Sequence, residues 1–132
     1  MKERFIERFE DYRKALISLE EGLQIEPYDD IIVDGVIQRF EFTFELAWKL
    51  MKDCLEYEGI EAKSPRSAIK EAYRIGIISD GDGWIEMMID RNKTSHIYDE
   101  NEAKAIYKKI KVNHIHLLKE LLNQIQQRLE RY

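Results

Sequence analysis

Apolar residues recur every three or four positions along most of this chain, which is the spacing of one face of an α-helix. The first such segment covers residues 3–23, and Gly22 and Pro27 mark its end. The second and longest covers residues 30–58. The pattern predicts that the first half of the chain forms two helices joined by a short loop.

The second helix carries apolar residues on two of its faces. One stripe consists of Val33, Ile37, Phe40, Phe44, Ala47, Met51 and Cys54. The other consists of Phe42, Leu46, Leu50 and Tyr57. A helix with two apolar stripes has neighbours on two sides, so it is either central in a bundle or also used between subunits.

Capping residues place the next two helices. Ser64 is a suitable N-cap, and the proline after it suits the first position of a helix over about 65–75. Residues 80–83 read Asp-Gly-Asp-Gly and predict a turn. A fourth helix is predicted from about Trp84 to Lys93.

Asp99 begins the last predicted helix, over about 100–130, with Glu102 completing a capping box. Its predicted buried residues are Ala103, Ile106, Ile110, Leu117, Leu121 and Ile125. His114 lies near that face and is expected to be a hydrogen-bonded core histidine. We therefore predict an all-α fold with a single domain over 1–132, an up-and-down antiparallel bundle of four to five helices. Its long antiparallel pair would be the second and last helices.

Residue types that suggest chemistry occur between the fourth and last helices. Arg91, His96 and Tyr98 are spaced R-x4-H-x-Y. Arginine can hold a phosphate, and histidine can transfer a proton near neutral pH. On an unbroken helix, residues five apart differ by about 140°, so Arg91 and His96 converge only if the helix breaks or two copies cooperate. The alternative is a capped joint with ordinary surface polar residues.

Composition limits the classes of protein. Charged residues make up 36% of the 132, and no apolar run approaches the ~18 residues of a membrane span. The N-terminus lacks an apolar signal region, and one cysteine excludes an internal disulfide, so we expect a cytoplasmic protein. No residue set has the spacing of a calcium or zinc site, and no metal or cofactor is predicted.

Charge is unevenly distributed along the chain. The overall net charge is −5, yet residues 91–132 carry nine Lys and Arg against five Asp and Glu. This basic end begins at Arg91 and suits an anionic ligand there. A solvated helix face is the alternative.

The chain resembles the nucleotidyltransferase substrate-binding proteins of the HEPN superfamily over nearly its whole length. The matching residues are Arg39, Phe40, Glu41, Phe44, Glu45, Trp48, Lys49, Ser64, Pro65, Arg66, Trp84, Arg91, Asn92, Ser95, His96, Tyr98, Asp99 and Ala103. The resemblance implies a dimeric helical bundle encoded beside a minimal nucleotidyltransferase. In related toxin–antitoxin pairs, the HEPN partner is similar to a metal-independent RNase.

Residue by residue, the resemblance implies that Arg91 and His96 are catalytic and face each other from two subunits. It implies that Tyr98 is the residue to which the transferase adds AMP, and Asn92 belongs to the same modification or ligand-binding set. Arg39, Glu41 and Glu45 match the family without an assigned role and otherwise form a surface ion-pair face. The chain has no Gly-Ser pair and no predicted strand to carry magnesium-binding aspartates, so it is the partner and not the transferase.

Three functions remain open from the sequence. The first is RNA cleavage at the dimer cleft. The second is a binding subunit, in which the same cleft presents a nucleotide or other substrate to the transferase. The third is a structural scaffold subunit.

Overall fold

The computed structural model describes residues 2–132, and this part of the chain is helical without a strand. This confirms the predicted all-α bundle. The helices are α1 (Lys2–Leu23), α2 (Asp30–Tyr57), α3 (Pro65–Arg74), α4 (Gly81–Lys93), α5 (Glu100–Lys109) and α6 (Ile115–Arg131). A 3-10 turn, Thr94–His96, follows α4, and a π-helical segment, Ile110–His114, joins α5 to α6 as one continuous helix.

Local hydrogen bonds explain where the helices begin. Asp29 caps α2 by accepting from the backbone N–H of Ile32 at 2.9 Å. The turn predicted at 80–83 was wrong, because α4 already begins at Gly81. Asp80 accepts from the backbone N–H of Gly83 at 2.9 Å, so those residues are the cap and first turn of the helix.

The core forms where α1 and α2 pack against each other and against the remaining helices. Every member of the first α2 stripe is buried, as predicted. In the second stripe only Leu50 is buried, while Phe42 remains 62% exposed. α2 does contact the last helix, but its most extensive packing is with α1. Tyr12 of α1 reaches α6, where its hydroxyl donates to the carbonyl of Leu118 at 2.7 Å.

The π-helical segment changes which residues of the last helix face the core. Leu117 was predicted to be buried, but it is half-buried and Leu118 is fully buried instead. A π-turn inserts one extra residue into the helical repeat, which moves every later residue on by one position. Both His114 and Ile115 are therefore directed inward.

Two glycine substitutions test the packing at the start of α4. A Cβ added to Gly83 would lie 2.8 Å from Cγ of Asp80 and 2.9 Å from Cδ1 of Leu117. Moving Asp80 would break the cap, so we expect Gly83→Ala to destabilise the fold by about 1–2 kcal/mol. Gly35→Ala, in the interior of α2, is the matched control, because a Cβ added there would meet no neighbouring group within 4 Å. This change should stabilise the fold by about 0.5–1 kcal/mol. Urea denaturation measures both, and equal effects of the two substitutions would contradict this account.

Candidate functional site

Arg91 lies in the last turn of α4 and faces α2. Its Nη1 is 3.4 Å from Oε2 of Glu41, and its Nη2 is 3.7 Å from Oε1 of Glu45. Glu45 is held in turn by Trp48, whose indole N–H donates to Oε2 at 3.1 Å. The two glutamates are four apart on one face of α2, which is why both reach the same guanidinium.

Thr94, the first residue after α4, joins this cluster. Its hydroxyl lies 2.8 Å from Oε2 of Glu41 and 2.6 Å from the carbonyl oxygen of Arg91, and it accepts from Nη1 of Arg91 at 3.3 Å. The Nε of Arg91 is buried without a partner. Glu41 and Glu45, which the sequence left without a role, therefore hold Arg91. Arg39 lies elsewhere, because its Nη1 donates to the carbonyl of Ser18 on α1 at 2.6 Å.

His96 ends the 3-10 turn, and its side chain is exposed. It lines an open groove of about 600 Å³ between α4 and α5, together with Asn92. Arg91 does not line this groove. The α-helix changes to a 3-10 turn at Thr94, so the helix does break between Arg91 and His96.

Within one chain, however, Arg91 and His96 are directed to different surfaces. Arg91 is directed towards α2, and His96 towards α5. Across residues 2–132 no hydrogen bond joins the two side chains. The single chain therefore holds the two residues near one joint without assembling them into one site.

Tyr98 is the most exposed large side chain of this region, at 85%. Its backbone is fixed nonetheless, because its N–H donates to Oε2 of Glu102 at 3.1 Å. Asp99 accepts from the N–H of Glu102 at 2.8 Å and caps α5. The phenol is thus held on an ordered loop and is reachable from solvent.

A buried cluster of an aspartate, a histidine and a lysine lies beneath the turn between α4 and α5. The sequence predicted the histidine of this cluster but not the aspartate. His114 is a hydrogen-bonded core histidine, as expected: it is 1% exposed, and its Nε2 lies 2.6 Å from Oδ2 of Asp90. Asp90, 2% exposed, also binds Nζ of Lys109 at 2.8 Å. Burial lowers the pKa of His114, the hydrogen bond and charge of Asp90 oppose this, and the positive charge of Lys109 adds to the lowering. The position of Asp90, three residues after the inward-facing Met87, was the available sequence signal.

Neither a metal site nor a membrane span is found within residues 2–132. No group of three or more His, Cys, Asp or Glu side chains is arranged so that it could hold a metal ion. No helix in this range has the length and apolarity to cross a membrane.

Replacing Glu41 tests how much its contacts to Arg91 and Thr94 stabilise the fold. Glu41→Ala leaves Arg91 and Thr94 without their shared partner in a half-buried setting, so we expect a loss of about 1–2 kcal/mol of unfolding free energy. Glu10→Ala is the control, because the Glu10–Arg13 pair on α1 is solvent-exposed and worth about 0.5 kcal/mol or less. Thermal and urea denaturation measure the unfolding free energy of the two variants. If Glu41→Ala lowers it as little as Glu10→Ala does, the contacts of Glu41 to Arg91 and Thr94 do not stabilise the fold.

Known proteins similar to this chain share its fold and part of its sequence. A protein from Haemophilus influenzae named "Probable ribonuclease HepT" is 38% identical over 86 residues, in an alignment that covers 61% of this chain and 59% of that protein. The chain therefore matches less than two thirds of that relative's length. A crystal structure of a protein from Thermus thermophilus has 34% identity and a TM-score of 0.75, over 89% of this chain and 98% of the other.

A second solved structure connects the fold to a described role. HI0074 from Haemophilus influenzae superposes with a TM-score of 0.66 and 29% identity, over 96% of this chain and all of the other. That structure is described as revealing the fold of a substrate binding domain of a nucleotidyltransferase. The sequence model of one family matches residues 7–127, nearly the whole chain. On these findings, the chain belongs to the family described as nucleotidyltransferase substrate binding protein like.

Proposed function

We propose that this protein is a metal-independent endoribonuclease, the HEPN-type toxin of a two-gene system whose other member is a minimal nucleotidyltransferase. The observation that carries the proposal is the joint after α4, where a guanidinium held by two glutamates lies five residues before an exposed histidine. The similarity to a protein named as a ribonuclease supports the reaction class.

The chemistry needs only the RNA and these two side chains. His96 takes the proton from a ribose 2′-OH, whose oxygen then attacks the adjacent phosphorus, and the bond to the 5′-oxygen breaks. A protonated His96 supplies the proton to that leaving oxygen. Arg91 binds the phosphate and stabilises the extra negative charge of the transition state. The products are a 2′,3′-cyclic phosphate and a free 5′-hydroxyl, and DNA is not cut because it lacks the nucleophile.

A homodimer would complete the site. Because Arg91 and His96 are directed to different surfaces of one chain, we place Arg91 of one subunit with His96 of the other. Phe42 is exposed on α2, and Leu46, one turn later on the same face, is only half-buried. This continuous apolar patch beside Glu41 and Glu45 supports a contact between subunits.

The test is cleavage of single-stranded RNA by the purified protein in EDTA. We expect cutting of RNA and not of DNA, with a 2′,3′-cyclic phosphate end, and His96→Ala should lower the rate by about 10²–10⁴ while leaving the fold intact. His116→Ala, a change to an exposed histidine on α6, is the matched control and should leave the rate unchanged. Cleavage that needs magnesium, or that persists in His96→Ala, would refute the proposal.

The exposure of Tyr98 supports a switch at the same joint. We propose that the partner nucleotidyltransferase transfers AMP from ATP to the Tyr98 hydroxyl, releasing pyrophosphate. The new phosphate places negative charge two residues from His96, where it repels the RNA backbone and competes for Arg91.

Incubation with the transferase, ATP and magnesium tests the switch. The intact mass should increase by one or more AMP units, peptide mapping should place the first on Tyr98, and RNA cleavage should fall. Tyr73→Phe on the exposed end of α3 should still be modified, whereas Tyr98→Phe should not. Modification only at other residues would leave Tyr98 outside the switch.

A second function is favoured by the description of HI0074 and by the name of the family. On this alternative, the groove at His96 holds a nucleotide or another substrate for the transferase and performs no chemistry. Nucleotide binding by a protein that leaves RNA uncut in EDTA would favour it.

A further inference from the structure

The groove beside His96 has apolar walls that the proton-transfer chemistry does not use. Ile97, Ala105 and Ile106 line it, and Ile89 enters it from α4 with 42% of its side chain exposed. These side chains offer broad contact surfaces without hydrogen-bonding groups. Such surfaces suit a flat heteroaromatic ring, whose faces gain from leaving water while its edges still require polar partners.

Polar groups are found at the rim of the groove. Asn92 presents an amide that both donates and accepts, which matches the edge of a base. Lys93 forms no ion pair with the acidic residues between positions 2 and 132, so its charge is available to a phosphate or ribose-phosphate group. The arrangement combines apolar walls, an amide and a cation, and these are the groups that a nucleotide requires.

Buried ion pairs hold the base of the groove in place. Asp90 is fixed by Lys109 and His114, and Lys109 is also 2.9 Å from Oε1 of Glu86. The ammonium of Lys109 offsets the negative charge of Asp90 where both line the groove. The lining also includes the carboxylate of Glu102, so its two acidic residues, Asp90 and Glu102, are matched by two lysines, Lys93 and Lys109. The ion pair between Asp90 and Lys109 ties the α4 wall to the α5 wall before any ligand binds.

The size and position of the groove agree with a nucleotide. Its volume of about 600 Å³ lies within the range of small-molecule sites and exceeds that of one nucleobase with its ribose. His96 is itself part of the wall. A base bound in the groove therefore shares the groove with the His96 ring.

We propose that the groove between α4 and α5 is a nucleobase-binding subsite, which holds the base of the nucleotide whose phosphate lies at His96. Placing the phosphate at His96 rests on the proposed function, while the base site itself rests on the groove. RNA binding would then combine burial of a base against the apolar walls of the groove with phosphate contacts at Lys93 and the catalytic pair.

Two small ligands distinguish binding of the base from binding of the phosphate. AMP and ribose 5-phosphate share the sugar phosphate, and only AMP has a base. We expect AMP to bind about tenfold or more tightly in calorimetric titration, because only AMP has a base whose faces leave water against the apolar walls. In NMR spectra, the adenine H2 and H8 protons should show nuclear Overhauser effects to the methyl groups of Ile89, Ile97 and Ile106. Equal affinities, or contacts to other methyl groups, would overturn the proposal.

Filling the groove from α5 gives a second, independent test. Ala105→Trp should reduce AMP affinity to that of ribose 5-phosphate without changing the latter, and the smaller Ala105→Leu should act in the same direction. Val112→Trp, at an exposed position outside the groove, is the matched control and should keep the preference for AMP. Light scattering on each variant checks the subunit interface: if Ala105→Trp changes the oligomeric mass, the groove is a subunit contact and the proposal fails.

These measurements are independent of RNA cleavage. A preference for AMP with isoleucine contacts, in a protein that does not cut RNA, would support the base site and refute the nuclease. RNA cleavage without any preference for AMP would support the nuclease and refute the base site.

Discussion

The last turn of α4 is fixed from both sides by charge, and the geometry of the joint depends on this. Asp90 is directed inwards to Lys109 and His114, while its neighbour Arg91 is directed towards the glutamates of α2. Removing one member of a buried ion pair typically costs about 3–5 kcal/mol, because the remaining charge has no water to solvate it. The last turn of α4 is therefore held against α2, α5 and the π-helical segment together. This fixes the position of the backbone that leads to His96 and Tyr98.

This double attachment also explains the contrast between buried and exposed groups at the site. Arg91 is half-buried and oriented by carboxylates, whereas His96 and Tyr98 are open to solvent. A phosphate-binding group benefits from a fixed orientation, since less side-chain entropy is lost when the ligand binds. The roles proposed for His96 and Tyr98, proton transfer and modification, both require accessible side chains. The chain as a whole is acidic, and Lys and Arg exceed Asp and Glu only from Arg91 onward.

Local patterns were sufficient to predict much of the fold. The caps at Ser64 and Asp99 and the first stripe of α2 depend on neighbours within a few residues, and the structure confirms them. The register of the last helix was not predictable in this way, because a π-turn leaves no local signature, and Leu118 replaced Leu117 in the core. The pairing of Arg91 with Glu41 spans fifty residues. The sequence marked both residues through the family resemblance, but only the packing of α4 on α2 brings them together.

The most direct measurement of the central claim uses two inactive chains. Arg91→Ala and His96→Ala subunits, carrying different affinity tags, are produced together, and the mixed dimer is purified and assayed on RNA. If Arg91 of one subunit works with His96 of the other, one of the two sites in the mixed dimer is intact and up to half of the wild-type rate returns. A mixed dimer as inactive as either mutant homodimer would contradict a shared site.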